Sequence, residues 1–193
     1  MARERKFSLE ELFKETKNLL LIHGYGGFTF SLLAEKLHVS RGTIYKYYEN
    51  KDELIIDYMI HDMDRFLNDI KAIEQYHTFE EQFNFLLDTI LERTEINKMI
   101  LIFAQIPNNT TEKVKQNQEI LFQLHQEMYR YLQSLVVLGK KEKKVKAHLP
   151  ESLILGFIFQ STAIPNHFQV PQEKWIQSIK EIIKDGMFEH SQD

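Results

Sequence analysis

Residues 28–54 read FTFSLLAEKLHVSRGTIYKYYENKDEL, and their spacing decides the fold around them. Two short helical segments, 30–37 and 41–47, flank a tight turn at Leu37–Ser40, and a third helix starts after Asn50. Helices that cross closely need a small residue at the contact, and Ala34 supplies it. The turn needs an apolar plug, which is Val39. Ser40 stands where an N-cap is required, and Val39 with Ile44 has the spacing of a hydrophobic staple. On a helical wheel Ile44 and Tyr48 fall together and face inward, while Gly42 and Lys46 fall opposite, flanked by Thr43 and Tyr45. The outward face therefore has almost no bulk at its first turn, then a hydroxyl, a phenol and an ammonium. Glycine inside a helix costs about 1 kcal/mol relative to alanine. On an exposed face that cost makes sense if another surface must come close, as a DNA major groove would. Arg41 and the N–H groups at the helix start suit phosphate or guanine, with Tyr47 and Lys51 placed to touch the backbone. The competing reading makes Gly42 a poor helix residue in a connector and packs the tyrosines inside. For Tyr48 the two readings agree.

Composition sets the frame. The chain has 193 residues, 43% hydrophobic and 27% charged, as expected of a globular protein with a substantial core. It has no cysteine, which excludes disulfide and thiolate chemistry. Apolar runs such as Leu19–Ile22 and Met99–Phe103 fall far short of the ~20 residues that span a bilayer. The opening MARERKFSLEELF lacks the apolar stretch of a secretory signal, so a cytoplasmic protein with no membrane association is expected. Net charge is −4, but unevenly spread: nine Lys/Arg face eight Asp/Glu in residues 1–54, against 15 and 20 in the remainder. Only a local patch could meet phosphate.

Helical periodicity runs through nearly the whole chain, and no alternating strand or Asn-Gly hairpin appears. The predicted class is all-α, about nine helices: 8–23, 30–37, 41–47, 51–75, 79–95, 97–106, 111–138, 151–164 and 172–188. Capping-box pairs mark four starts: Ser8/Glu11 (with Phe7 and Leu12 as staple), Asn50/Glu53, Thr78/Glu81 and Asn109/Glu112. The run Lys140–Lys146 reads as a solvated linker, or alternatively as a second nucleic-acid patch. The functional boundary falls near residue 50.

The segment VSRGTIYKYYENKDEL at 39–54, with Gly24-Tyr25, Thr29 and Leu33-Ala34 before it, resembles the TetR family of bacterial transcription regulators. The resemblance covers about the first 50 residues. It departs from the family at Leu37-His38, where Ala-Gly is usual; His38 must then adopt a glycine-like, left-handed backbone. Thr16 replaces an alanine, the threonine opening the second helix is shifted so that Phe28 or Thr29 stands there, and Tyr47-Tyr48 replaces His-Phe. The resemblance implies a helix-turn-helix DNA-binding domain over 1–50 and an effector-binding and dimerisation domain over 51–193. It implies that Arg41, Thr43, Tyr45 and Lys46 read or brace the groove, that Gly42 permits close approach, and that Thr29, Tyr47 and Lys51 hold phosphates. It further implies a homodimer on a palindromic double-stranded operator, acting as a repressor.

For the dimer, segments 151–164 and 172–188 carry enough apolar surface to serve both a core and a partner. Phe157, Ile158, Ile164, Ile179 and Ile183 are the candidates; plain core helices are the alternative. For a small, hydrophobic effector, Phe103, Phe122, His125, Tyr129 and Phe157 combine aromatic bulk with isolated polar groups, although such stripes also occur as ordinary core. Effector binding would shift the population away from the operator-binding arrangement, with the helix from Lys51 as lever. No cofactor or metal is expected. The eight histidines are scattered with no His-x-x-x-His spacing, and Gly24, Gly26 and Gly27 lack a phosphate-loop pattern, so an enzyme is not expected. The remaining alternative is a helical interaction module whose degenerate helix-turn-helix does not bind DNA.

Overall fold

The computed structural model describes residues 7–93, 95–107 and 111–189, and among them every regular element is helical. The helices are α1 (Leu9–Gly27), α2 (Phe30–Lys36), α3 (Arg41–Ile44), α4 (Lys51–Lys71, followed by a 3-10 turn at Ala72–Gln75), α5 (Phe79–Leu91), α6 (Ile96–Phe103), α7 (Glu112–Lys141), α8 (Glu151–Ser161) and α9 (Gln172–Met187). Both reciprocal capping boxes, Ser8/Glu11 and Thr78/Glu81, are formed. Asn50 Oδ1 accepts the Glu53 N–H at 2.9 Å, but the Glu53 carboxylate turns away to the Glu49 N–H at 3.1 Å, so that box is only half made. Asn109 lies outside the described residues. The predicted end of the first helix at residue 23 coincides with a kink: Gly24 has φ 65°, ψ −178°, a conformation without penalty only for glycine.

The chain divides into two compact units: Met1–Arg65 with Lys98–Leu124, and Phe66–Asn97 with His125–Asp193. The unit holding the helix-turn-helix thus takes in more than residues 1–50. Its core is built from Leu12, Phe13, Leu19, Leu20, Phe28, Leu33, Ile44 and Leu54–Ile56, joined by Ile102, Ile106, Val114 and Leu121. Thr16 is fully buried, and its hydroxyl donates to the Leu12 carbonyl at 2.7 Å, which explains how a polar residue is tolerated there.

In the second unit α5 packs on α8, and α8 on α9. Phe79 is buried against Phe83 and Phe188, and Gly139 lets its ring approach: a Cβ there would stand 2.4 Å from two ring carbons. The Lys140–Lys146 segment is not a freely solvated linker. Lys140 donates to the Leu149 carbonyl and Glu151, Lys144 pairs with Glu80, and Lys146 reaches the Asp185 and Gly186 carbonyls at the end of α9. Lys146 thereby complements the last carbonyls and the negative end of the α9 dipole.

Candidate nucleic-acid interface

The stretch 39–48, the candidate recognition segment, is set by the turn that precedes it. Val39 N–H bonds to the Ala34 carbonyl at 3.0 Å, and His38 takes φ 52°, the left-handed conformation expected where the usual glycine is missing. Ala34 is buried at the crossing, and Val39 packs on the core. Ser40 is the N-cap residue, but its hydroxyl pairs with the Thr43 hydroxyl at 2.9 Å instead of a backbone N–H. Helical geometry covers only Arg41–Ile44, with the rest of the predicted 41–47 segment continuing as turns.

Ile44 and Tyr48 are buried, and Tyr48 donates to Asp57 at 2.5 Å. Arg41, Gly42, Tyr45 and Lys46 are exposed, with Thr43 half-buried beside them. Arg41 donates to the Tyr45 hydroxyl at 2.8 Å and lies over its ring, while Phe30 meets that ring edge-on at 5.0 Å. Tyr45 is thereby held upright on the surface. A Cβ at Gly42 would meet only Ser40 Oγ, at 3.9 Å, so nothing inside the protein requires glycine there.

The flanking residues differ from one another. Thr29 is exposed and caps α2, accepting the Leu32 N–H at 3.3 Å, which leaves its hydroxyl proton for an outside acceptor. Tyr47 is half-buried and meets Phe7 edge-on. Lys51 is half-buried, donates to the Tyr25 carbonyl at 2.7 Å and sits 3.9 Å from that ring's centroid, so it also clamps the α1–α2 corner. Tyr25 in turn donates to Asp52 at 2.9 Å; burial, then that bond, push its phenol up to about 12.

The candidate effector residues do not form one lining. Phe103 is half-buried on the first unit's core and Phe122 is exposed. His125 is half-buried; Tyr129 is partly exposed against Phe159, ring centroids 5.4 Å apart, and burial raises its phenol pKa. Phe157 is exposed. Two open grooves, one of about 420 Å³ lined by Leu67, Lys71, Glu127, Arg130 and Tyr131, and one of about 320 Å³ beside Ile22 and Lys36, include none of these five. Of the dimer candidates, Ile158, Ile179 and Ile183 are buried within the protomer and cannot present a face. The exposed large apolar residues of this region are Leu153 and Phe157 on α8, Ile164 and Phe168 after it, and Ile182 on α9. Among the described residues no three metal-binding side chains cluster, and no helix is long and apolar enough to cross a membrane.

Fold and surface together define an all-helical protein with an N-terminal helix-turn-helix. Residues 12–58 match the model of the bacterial regulatory proteins of the tetR family, so this segment is similar to that family. No curated protein matches it by sequence. Among solved structures it is similar to the ketosteroid transcriptional regulator KstR2 of Mycobacterium tuberculosis, at 14% identity and TM-score 0.70 over 98% of each chain. It is similar to the transcriptional regulator FadR from Bacillus subtilis, solved in complex with stearoyl-CoA, at 16% identity and TM-score 0.69, covering 93% of this chain and 99% of that one. A TetR transcription regulator from Haloarcula marismortui aligns at 21% identity and TM-score 0.67, covering 93% and 97%. At these identities the likeness is one of fold.

Proposed function

We propose that the chain is a cytoplasmic, homodimeric repressor that binds a palindromic operator through α3 and leaves it when a small, largely apolar effector binds. Residues 1–50 serve as reading head and 51–193 as effector and dimer domain. The observation that carries this reading is the division of one short segment into a buried face, Ile44 and Tyr48, and a bare, exposed one, Arg41, Gly42, Tyr45 and Lys46. Arg41, Tyr45 and Lys46 meet base edges, Thr43 braces the approach, and Thr29, Tyr47 and Lys51 contact the flanking phosphates. Leu153, Phe157, Ile164 and Ile182 supply the dimer face.

The test is a fluorescence-anisotropy titration of the full chain with DNA from upstream of its own gene. Affinity should fall steeply with salt. Lys46→Ala and Tyr45→Ala should change sequence preference, each costing about 1–3 kcal/mol at the affected base pairs, whereas Lys51→Ala should weaken all sequences alike. Salt-independent binding, or identical behaviour of the three variants, contradicts the assignment. Because the Bacillus subtilis FadR neighbour holds stearoyl-CoA, that molecule is the first effector probe. The reading expects it, or another bulky apolar ligand, to lower operator affinity.

A further inference from the structure

Glu53 is the one acidic side chain that is fully buried among the described residues, at 1% exposure, yet the reading surface does not use it. It stands in the first turn of α4, directly after the recognition segment. Its carboxylate accepts the Glu49 N–H at 3.1 Å, the Thr111 hydroxyl at 3.3 Å and the Lys113 ammonium at 3.2 Å. Lys113 stands in the first turn of α7 and Thr111 directly before it, where the Thr111 oxygen also accepts the Val114 N–H at 3.3 Å, capping that helix. Lys113 lies 5.8 Å from the ring centroid of Tyr48, the inward anchor of the recognition segment. One cluster thus ties the first turn of α7 to both ends of the stretch 48–53.

We propose that Glu53, Thr111 and Lys113 form a polar latch that couples the position of the first turn of α7 to the setting of the recognition segment. The asymmetry of burial makes it directional. The Glu53 side chain is 2% exposed and that of Lys113 is 55% exposed. If the first turn of α7 moves, Lys113 carries its charge into water at little cost. Glu53 cannot follow, and a buried carboxylate stripped of its cation and hydroxyl donor is strongly disfavoured. It regains water only if the Glu49–Asn50 corner and the first turn of α4 open, which disturbs the seat of Tyr48 and the helix before it. The same continuous helix, Glu112–Lys141, carries His125 and Tyr129, two of the candidate effector contacts. The latch is therefore a two-state element that a bound effector can bias.

The inference rests on the DNA-binding reading only for one of its two readouts. In the full-length chain, Lys113→Met should speed amide hydrogen exchange across residues 45–53 about ten-fold, as local opening becomes easier. It should also reduce affinity for the upstream DNA about ten-fold, inside the range usual for coupled sites, while helical content and sedimentation stay unchanged. Adding Glu53→Gln to Lys113→Met should restore both, because a neutral amide keeps a hydrogen bond to Thr111 or Glu49 without needing the cation. If Lys113→Met fails to fold, Thr111→Val gives the same test with no change of charge. Faster exchange confined to residues 111–116, or a double variant worse than Lys113→Met, overturns the latch. Should the parent chain bind no DNA, the functional reading fails while the exchange result still decides the latch.

Discussion

Gly42→Ala separates the needs of the protein from those of its partner, because the two should move in opposite directions. The glycine sits in α3 on an exposed face, and an added methyl would touch nothing closer than Ser40 Oγ at 3.9 Å. The free protein should therefore gain up to about 1 kcal/mol, the helical advantage of alanine over glycine. For a chain of this size that is about 2–4 °C in Tm. On DNA the same methyl stands in the surface that must enter the groove. Displacing one good base contact costs about 1–3 kcal/mol, roughly 5–150-fold in affinity. Thermal melting of the free protein and anisotropy titration of the complex measure the two arms on one preparation. A stabilised variant that binds DNA as well as the parent would show that nothing approaches Gly42. A destabilised variant would show that the first turn of α3 is not helical as described.

Other consequences follow from the packing. Ile44→Ala removes a fully buried side chain and should cost about 2–5 kcal/mol in urea denaturation; a loss under about 1 kcal/mol would contradict its inward setting. Gly139→Ala drives a methyl into the Phe79 ring and to 2.8 Å from Val145, and should destabilise by about 1–3 kcal/mol, with partial recovery on adding Phe79→Leu. Phe157→Asp or Ile182→Asp should yield folded monomers in sedimentation, whereas Ile158→Ala should lower stability and leave association of the folded protein intact. Tyr25 has a folded pKa of about 12, above the ordinary value of about 10. Its contribution to stability is complete below the lower value and is lost as pH rises through the upper. Tyr25→Phe should flatten the stability profile in that alkaline window; an unchanged slope there would contradict the burial of the phenol together with its bond to Asp52.

What could be read from the sequence was what is local. Val39, Ser40 and Ile44 lie within six positions of one another, and the absence of glycine at 38 was enough to expect the positive φ that His38 adopts. The wheel sorted Ile44 and Tyr48 from Gly42 and Lys46 because that segment has only one apolar side. Helix α8 has apolar residues on nearly every side, so the wheel offered no unique inward face. Ile158 turned inward and Leu153 outward as packing on α5 and α9 decided. The burial of Glu53 was hidden for another reason: its α7 partners stand 58 and 60 residues away. Read locally, the same residue looked like the return half of a cap with Asn50. Lys51 likewise offered a free ammonium in the sequence, and only the folded α1–α2 corner supplies the Tyr25 carbonyl and ring that engage it.

Protection of guanine N7 from methylation, mapped on the upstream DNA with the full-length chain bound, tests the central claim most directly. The account expects two protected blocks, related by a dyad and centred a whole number of helical turns apart (about 10–10.5 base pairs each), with Lys46→Ala losing protection at the same position in both. Binding that leaves every guanine open to methylation, or one unpaired block unaffected by Lys46→Ala, would contradict it.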